Sequence, residues 1–136
     1  MGVICTYKMN IIPIDKCDFD SIKKLQACSD KEVLPYTEEL LTWVQDVNWP
    51  VAAPICMRLS MLGEKITEPI VSILNSNDSI WKYNVITQII TKFREPIPDK
   101  IIELLIRIIN SPSEDEKQEE VDLVAKDIMV RYSHGI

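Results

Sequence analysis

The sequence predicts an all-α fold: an α-α superhelix of about seven helices, arranged as three hairpins and a C-terminal capping helix. Three observations carry that expectation. Asp46-Val47-Asn48-Trp49-Pro50 returns in reduced form as Asp78-Ser79-Ile80-Trp81-Lys82, so Asp-x-x-Trp repeats at an interval of 32 residues. Each copy precedes two amphipathic segments separated by a break, and this interval suits a two-helix repeat unit. Only three glycines occur in 136 residues, which argues against a loop-rich or strand-rich design.

The elements follow in order. Residues 1–15 read as an extended lead-in, 16–132 as one helical domain and 133–136 as a tail. Asp18 can cap a first helix to about Cys28, with Phe19, Ile22 and Leu25 on one face. A second helix starts near Pro35, whose missing N–H costs nothing early in a helix, and buries Tyr36, Leu40, Trp43, Val44 and Val47. Asn48 is the expected cap of the third, with Trp49 and Pro50 in its first turn, an irregular start at Pro54, and Gly63 at its end.

Ile66, Ile70, Ile73 and Leu74 mark the fourth helix, and Asp78 leads into a fifth from Ser79 to about Phe93. The sixth, Asp99 to Asn110, is apolar nearly all round, which suits a helix packed on two sides. Ser111-Pro112-Ser113 ends it. Glu114, Asp115 and Glu116 then complement the positive end of a seventh helix, whose one apolar stripe (Val121, Val124, Ala125, Ile128) fits a terminal cap.

Composition narrows the function. A chain of this length builds one core. The net charge of −6 disfavours a nucleic-acid backbone, which needs clustered Lys and Arg, and the basic pair Lys23-Lys24 sits beside acids. A basic protein partner or plain solubility fits the acidity better. Cys5, Cys17, Cys28 and Cys56 lack metal-ligand spacing and read as free thiols in a reducing cytoplasm. No apolar run reaches the roughly 20 residues a bilayer span needs, since Glu103 and Arg107 interrupt Ile101–Ile109. Met1-Gly2-Val3-Ile4-Cys5-Thr6 fits the loose myristoylation pattern, a short string that arises often by chance, and no signal-peptide features accompany it.

Catalytic and cofactor patterns find little support, and none is expected. His134 is the single histidine and sits near the C-terminus. Asn75–Ser79 has a faint calcium-loop look but lacks glycine at the sixth position and a carboxylate at the twelfth, which is Ile86. Scattered glycines make no phosphate cradle. Asp46 and Asp78 read as caps or turn supports, and the acids from Glu114 to Asp122 as a solvated helix face.

Two residue sets stand out. Trp43, Trp49, Trp81 and Tyr83 fall at hairpin junctions, where large rings wedge units together or anchor a partner. On the second helix of each hairpin a polar stripe opposes the apolar face: Glu38, Thr42 and Gln45; Glu68, Ser72 and Asn75; Lys100, Glu103 and Arg107. Stacked side by side, these stripes would tile one surface, either plainly solvated or protein-binding.

From Ile11 to Tyr132 the chain resembles a family of small bacterial HEAT-like domains of unknown function. The resemblance rests on Leu34-Pro35, Leu40-Leu41-x-Trp43-x-Gln45-Asp46-x-Asn48-Trp49-Pro50-Val51-Ala52, Leu62-Gly63-Glu64, Leu74-Asn75-Ser76-Asn77-Asp78, Ile80-Trp81-Lys82-Tyr83 and Glu119-Glu120-Val121-Asp122. It implies an α-α superhelix and brings no activity. The expected function is a non-catalytic, cytoplasmic protein-binding module, monomeric or weakly dimeric, whose specific form is an immunity-type protein blocking a basic toxin. The alternatives are an enzyme or nucleic-acid-processing module with a carboxylate-based site, or a homodimeric assembly domain joined through the sixth helix.

Overall fold

The computed structural model describes the backbone of residues 11–134 and the side chains of residues 11–132. The acylation-type pattern at Met1–Thr6, Cys5 and the side chain of His134 lie outside the described residues. Every regular element of the described residues is a helix: α1 (Phe19–Ala27), α2 (Asp30–Val33), α3 (Thr37–Thr42), α4 (Ala52–Ser60), α5 (Thr67–Leu74), α6 (Ser79–Gln88), α7 (Asp99–Asn110), α8 (Glu114–Gln118) and α9 (Val121–His134). Single 3-10 turns at Leu34–Tyr36, Gly63–Ile66 and Ile90–Lys92 lead into α3, lead into α5 and follow α6.

Side-chain caps start four of the helices, α1, α2, α6 and α8. Asp18 accepts from the backbone N–H of Ser21, and Ser29 and Ser113 each form a reciprocal box with the glutamate three residues on. Asp78 caps α6 by accepting from the Trp81 N–H at 3.0 Å. Pro54 and Pro69 occupy the third positions of α4 and α5, where an amide has no intrahelical acceptor anyway, so neither disturbs its helix.

Several expectations need correction. The expected turn at Ser29 and Asp30 is the short helix α2, and the second helix expected from Pro35 is a 3-10 turn followed by α3, which stops at Thr42, so Val47 lies in the following connection and is exposed. Asn48 does not cap the third helix: α4 starts at Ala52 after Val51, with no side-chain cap. Asp46 instead accepts from the Asn48 N–H at 2.9 Å, a short polar turn. The two Asp-x-x-Trp copies therefore adopt different structures. Phe19 is 47 % exposed rather than part of the first core stripe. The expected seventh helix is two, because Glu120 takes a left-handed φ of 61° between α8 and α9.

Packing sets the helices in two rows. α1, α4, α6 and α9 succeed one another in one row, while α5 and α7 pack side by side in the other and α3 packs on α4. α7 lies against both α5 and α9, which accounts for its apolar circumference. One core cluster runs through the stack, from Ile22 and Leu25 through Leu40, Ile55, Leu59, Ile70, Ile86 and Leu105 to Val121 and Ile128. Each such side chain contributes on the order of 1.5–3 kcal/mol by leaving water.

The largest surprise is Glu116, expected on a solvated face and instead fully buried. Its carboxylate receives Lys82 Nζ at 2.9 Å, two Arg107 nitrogens at 2.6 and 3.0 Å, and the Ser113 N–H at 2.8 Å. Burial raises its pKa, but the hydrogen bonds from Arg107, Lys82 and Ser113 outweigh burial and bring it down to about 2. Because the folded value lies below the unfolded 4.5, the stabilisation is present above about pH 4.5. It is lost as pH falls toward 2. Urea unfolding should therefore show stability declining across that window, by on the order of 3 kcal/mol in the wild type and by clearly less in Glu116→Gln. At neutral pH, Glu116→Leu strands the buried Lys82 and should cost about 3–5 kcal/mol.

Candidate functional site

Three adjoining depressions line the surface where α3, α5, α6 and α8 come together, two of them meeting at Trp81. The first, about 540 Å³ and open, is lined by Ser76 to Trp81 with Asp115 and Glu119. The second, about 230 Å³, shares Ile80 and Glu119 with it and adds Tyr83, Gln118 and Glu120. The third, about 240 Å³, is a slot between α3 and α5 lined by Glu38, Leu41, Thr42, Pro69, Ser72 and Ile73, with Trp81 as the residue it shares with the first. Glu38, Asp78, Asp115, Glu119 and Glu120 all line this surface, and no lysine or arginine does so among the described residues.

Helix α6 positions the centre of the site. Its indole N–H at Trp81 donates to the Leu41 carbonyl at 3.0 Å, and one turn on the Asn84 amide donates to the carbonyls of Val44 and Gln45 at 2.9 and 3.2 Å. Trp81 thus reaches the last turn of α3 and Asn84 the connection that follows it, and together they hold this end of α3 against α6. Ile80 and Tyr83, 54 % and 37 % exposed, present apolar surface beside the acids. Trp43 and Trp49 form their own edge-to-face pair, with centroids 5.4 Å apart and planes at 67°. That pair joins the end of α3 to the approach to α4. Trp81, rather than Trp49, bridges helices distant in sequence.

The predicted stripes are partly brought together. Glu38 and Thr42 share the slot with Ser72, and Glu68 on α5 pairs with Lys100 on α7 at 2.8 Å. Glu103 is exposed on α7. Arg107 leaves its stripe to bind Glu116, Gln45 falls beyond the end of α3, and Asn75 is the C-cap residue of α5. Sequence reasoning missed Pro69, Asp115, Glu119 and the two ties Asn84 and Lys82. The Ser113-x-x-Glu116 spacing did signal a capping box and hence an engaged glutamate. Nothing local distinguished Asn84, because its partners lie about 40 positions away. Among the described residues no three His, Cys, Asp or Glu side chains gather in a way that could hold a metal ion.

The fold and its surface define an all-α protein with an acidic face centred on an aromatic ring. Residues 11–129 match the domain of unknown function DUF5071, and the chain belongs to that family. No curated protein matches it.

Replacing Asn84 with Ala removes both of its ties to the connection after α3 and leaves the Val44 and Gln45 carbonyls short of a donor. The expected cost is about 1–3 kcal/mol in urea unfolding, with amide exchange at the end of α3 accelerating more than exchange in α7.

Proposed function

We propose that this protein is a non-catalytic, HEAT-like protein-binding module that docks a basic protein partner, in the form of an immunity-type protein that neutralises a basic toxin domain in the cytoplasm. The observation that carries this reading is the continuous surface around Trp81, lined by carboxylates and by no basic side chain among the described residues. Such a surface raises the encounter rate with a cationic partner and repels anionic ones. Ile80, Tyr83 and Trp81 supply the apolar and aromatic contact that holds a complex after encounter. The two rows of helices support the HEAT-like reading, since solenoids also lay successive helices side by side in rows.

Cys56 gains no support as a reactive thiol: burial, opposed by Lys92, pushes its pKa up to about 11. The nucleic-acid alternative needs a basic groove, and an acidic surface weighs against it. Assembly through α7 is less favoured, because α5 and α9 already flank that helix and leave Ile106 as its exposed apolar side chain. No helix among the described residues is long and apolar enough to cross a membrane.

The test uses the product of a toxin gene adjoining this one. The purified pair should form a complex that blocks the toxin. Asp115→Lys with Glu119→Lys should lower the association rate on the order of tenfold at low salt, with the difference shrinking at high salt. A gene with no toxin neighbour, or an association rate indifferent to both substitutions and to salt, would sink the reading.

A further inference from the structure

Resting on the docking reading, we infer that the slot between α3 and α5 is the seat of one arginine side chain of the partner. The slot has the chemistry of that group and of few others. Leu41, Pro69, Ile73 and Trp81 give it apolar walls, while Glu38, Thr42 and Ser72 supply a carboxylate and two hydroxyls. An arginine stem of three methylenes covers apolar surface while its planar cation stacks on an aromatic ring. A purely apolar side chain would desolvate Glu38 and the hydroxyls without replacing their hydrogen bonds, which disfavours it.

Two features prepare the slot. The Trp81 ring is held in place by its bond to the Leu41 carbonyl, so little order has to be gained on binding. Glu38 forms no ion pair among the described residues, whereas Glu68 on the same face is taken by Lys100. That pairing also mutes Lys100, a cation of the neighbouring stripe that would repel a guanidinium, and the second cation of that stripe, Arg107, is held by Glu116. The larger depression at Ser76–Trp81 is less suited to the anchor, because the positive N-terminal end of α6 opposes a cation there and Asp78 is engaged in capping. Its acids act at longer range, on encounter.

The experiment titrates the full chain with n-butylguanidinium chloride, followed by proton–nitrogen NMR against matched sodium chloride. Saturable shifts are expected at the Trp81 indole N–H and the Ser72 amide, with a Kd on the order of 10 mM for a ligand of this size. Methylguanidinium, which lacks the stem, should bind at least about threefold more weakly, and Glu38→Gln should weaken butylguanidinium by about threefold to fivefold. Ser72→Phe should fill the slot and abolish the shifts. Both substituted side chains are exposed, so unchanged thermal unfolding of the variants separates loss of the slot from loss of the fold. Shifts no larger than those from salt, or spread as strongly over Asp115 and Glu119, overturn the assignment. A basic partner that binds Ser72→Phe as tightly as wild type overturns the slot alone. A butylguanidinium site in a protein that binds no basic partner keeps the slot and overturns the docking reading.

Discussion

The arrangement of this molecule's C-terminal half depends on one buried carboxylate. Glu116 is enclosed with two cations from two other helices, Lys82 on α6 and Arg107 on α7, and with the backbone of its own cap. An isolated charge in that position would be prohibitively costly, so the three side chains stand or fall together. The consequence reaches the surface. Turning Glu116 inward on the short helix α8 leaves Asp115 and Glu119 lining the acidic depression beside Trp81. The charge that the candidate surface offers is thus set by a charge that solvent never sees.

Helix α6 is the spine on which both the core and the surface hang. Its buried members include Ser79, Lys82 and Asn84 as well as Val85 and Ile86, so apolar periodicity alone describes it poorly. Apart from Ser79, whose buried hydroxyl has no partner among the described residues, its polar residues tie it to three places: Asp78 caps its own first turn, Trp81 and Asn84 reach the end of α3 and the connection after it, and Lys82 meets the carboxylate on α8. Polar ties of this kind fix direction in a way that apolar contact does not, because a misplaced donor leaves a buried carbonyl unpaired. The register of α3 against α6, and hence the shape of the slot beside Trp81, follows from them.

Much of this was legible in the residues. Asp99–Asn110 is legible to its ends because proline precedes it, serine and proline follow it, and its pattern is long. The caps at Asp18 and Asp78 follow from local chemistry, as do the buried stripes Ile66–Leu74 and Val121–Ile128. Local chemistry also misled. Asp46 and Asp78 look equivalent because both precede Trp by three residues, yet one closes a turn and the other caps a helix. What separates them is the chain that follows, where Val51 binds the Lys16 carbonyl and α4 begins only at Ala52.

The sequence by itself determined the helical class, most of the breaks between helices and the acidic balance, because these depend on neighbours within a few positions and on composition. The tertiary structure alone decided which polar residues face inward and which acids share one surface. Those outcomes require partners some 30 to 40 positions apart, as between Lys82 and Glu116 or Trp81 and Leu41, and no local pattern encodes a partner at that distance. The grouping of Glu38 and Ser72 beside Trp81 is of the same kind: a surface assembled from three helices by the packing of the core beneath it.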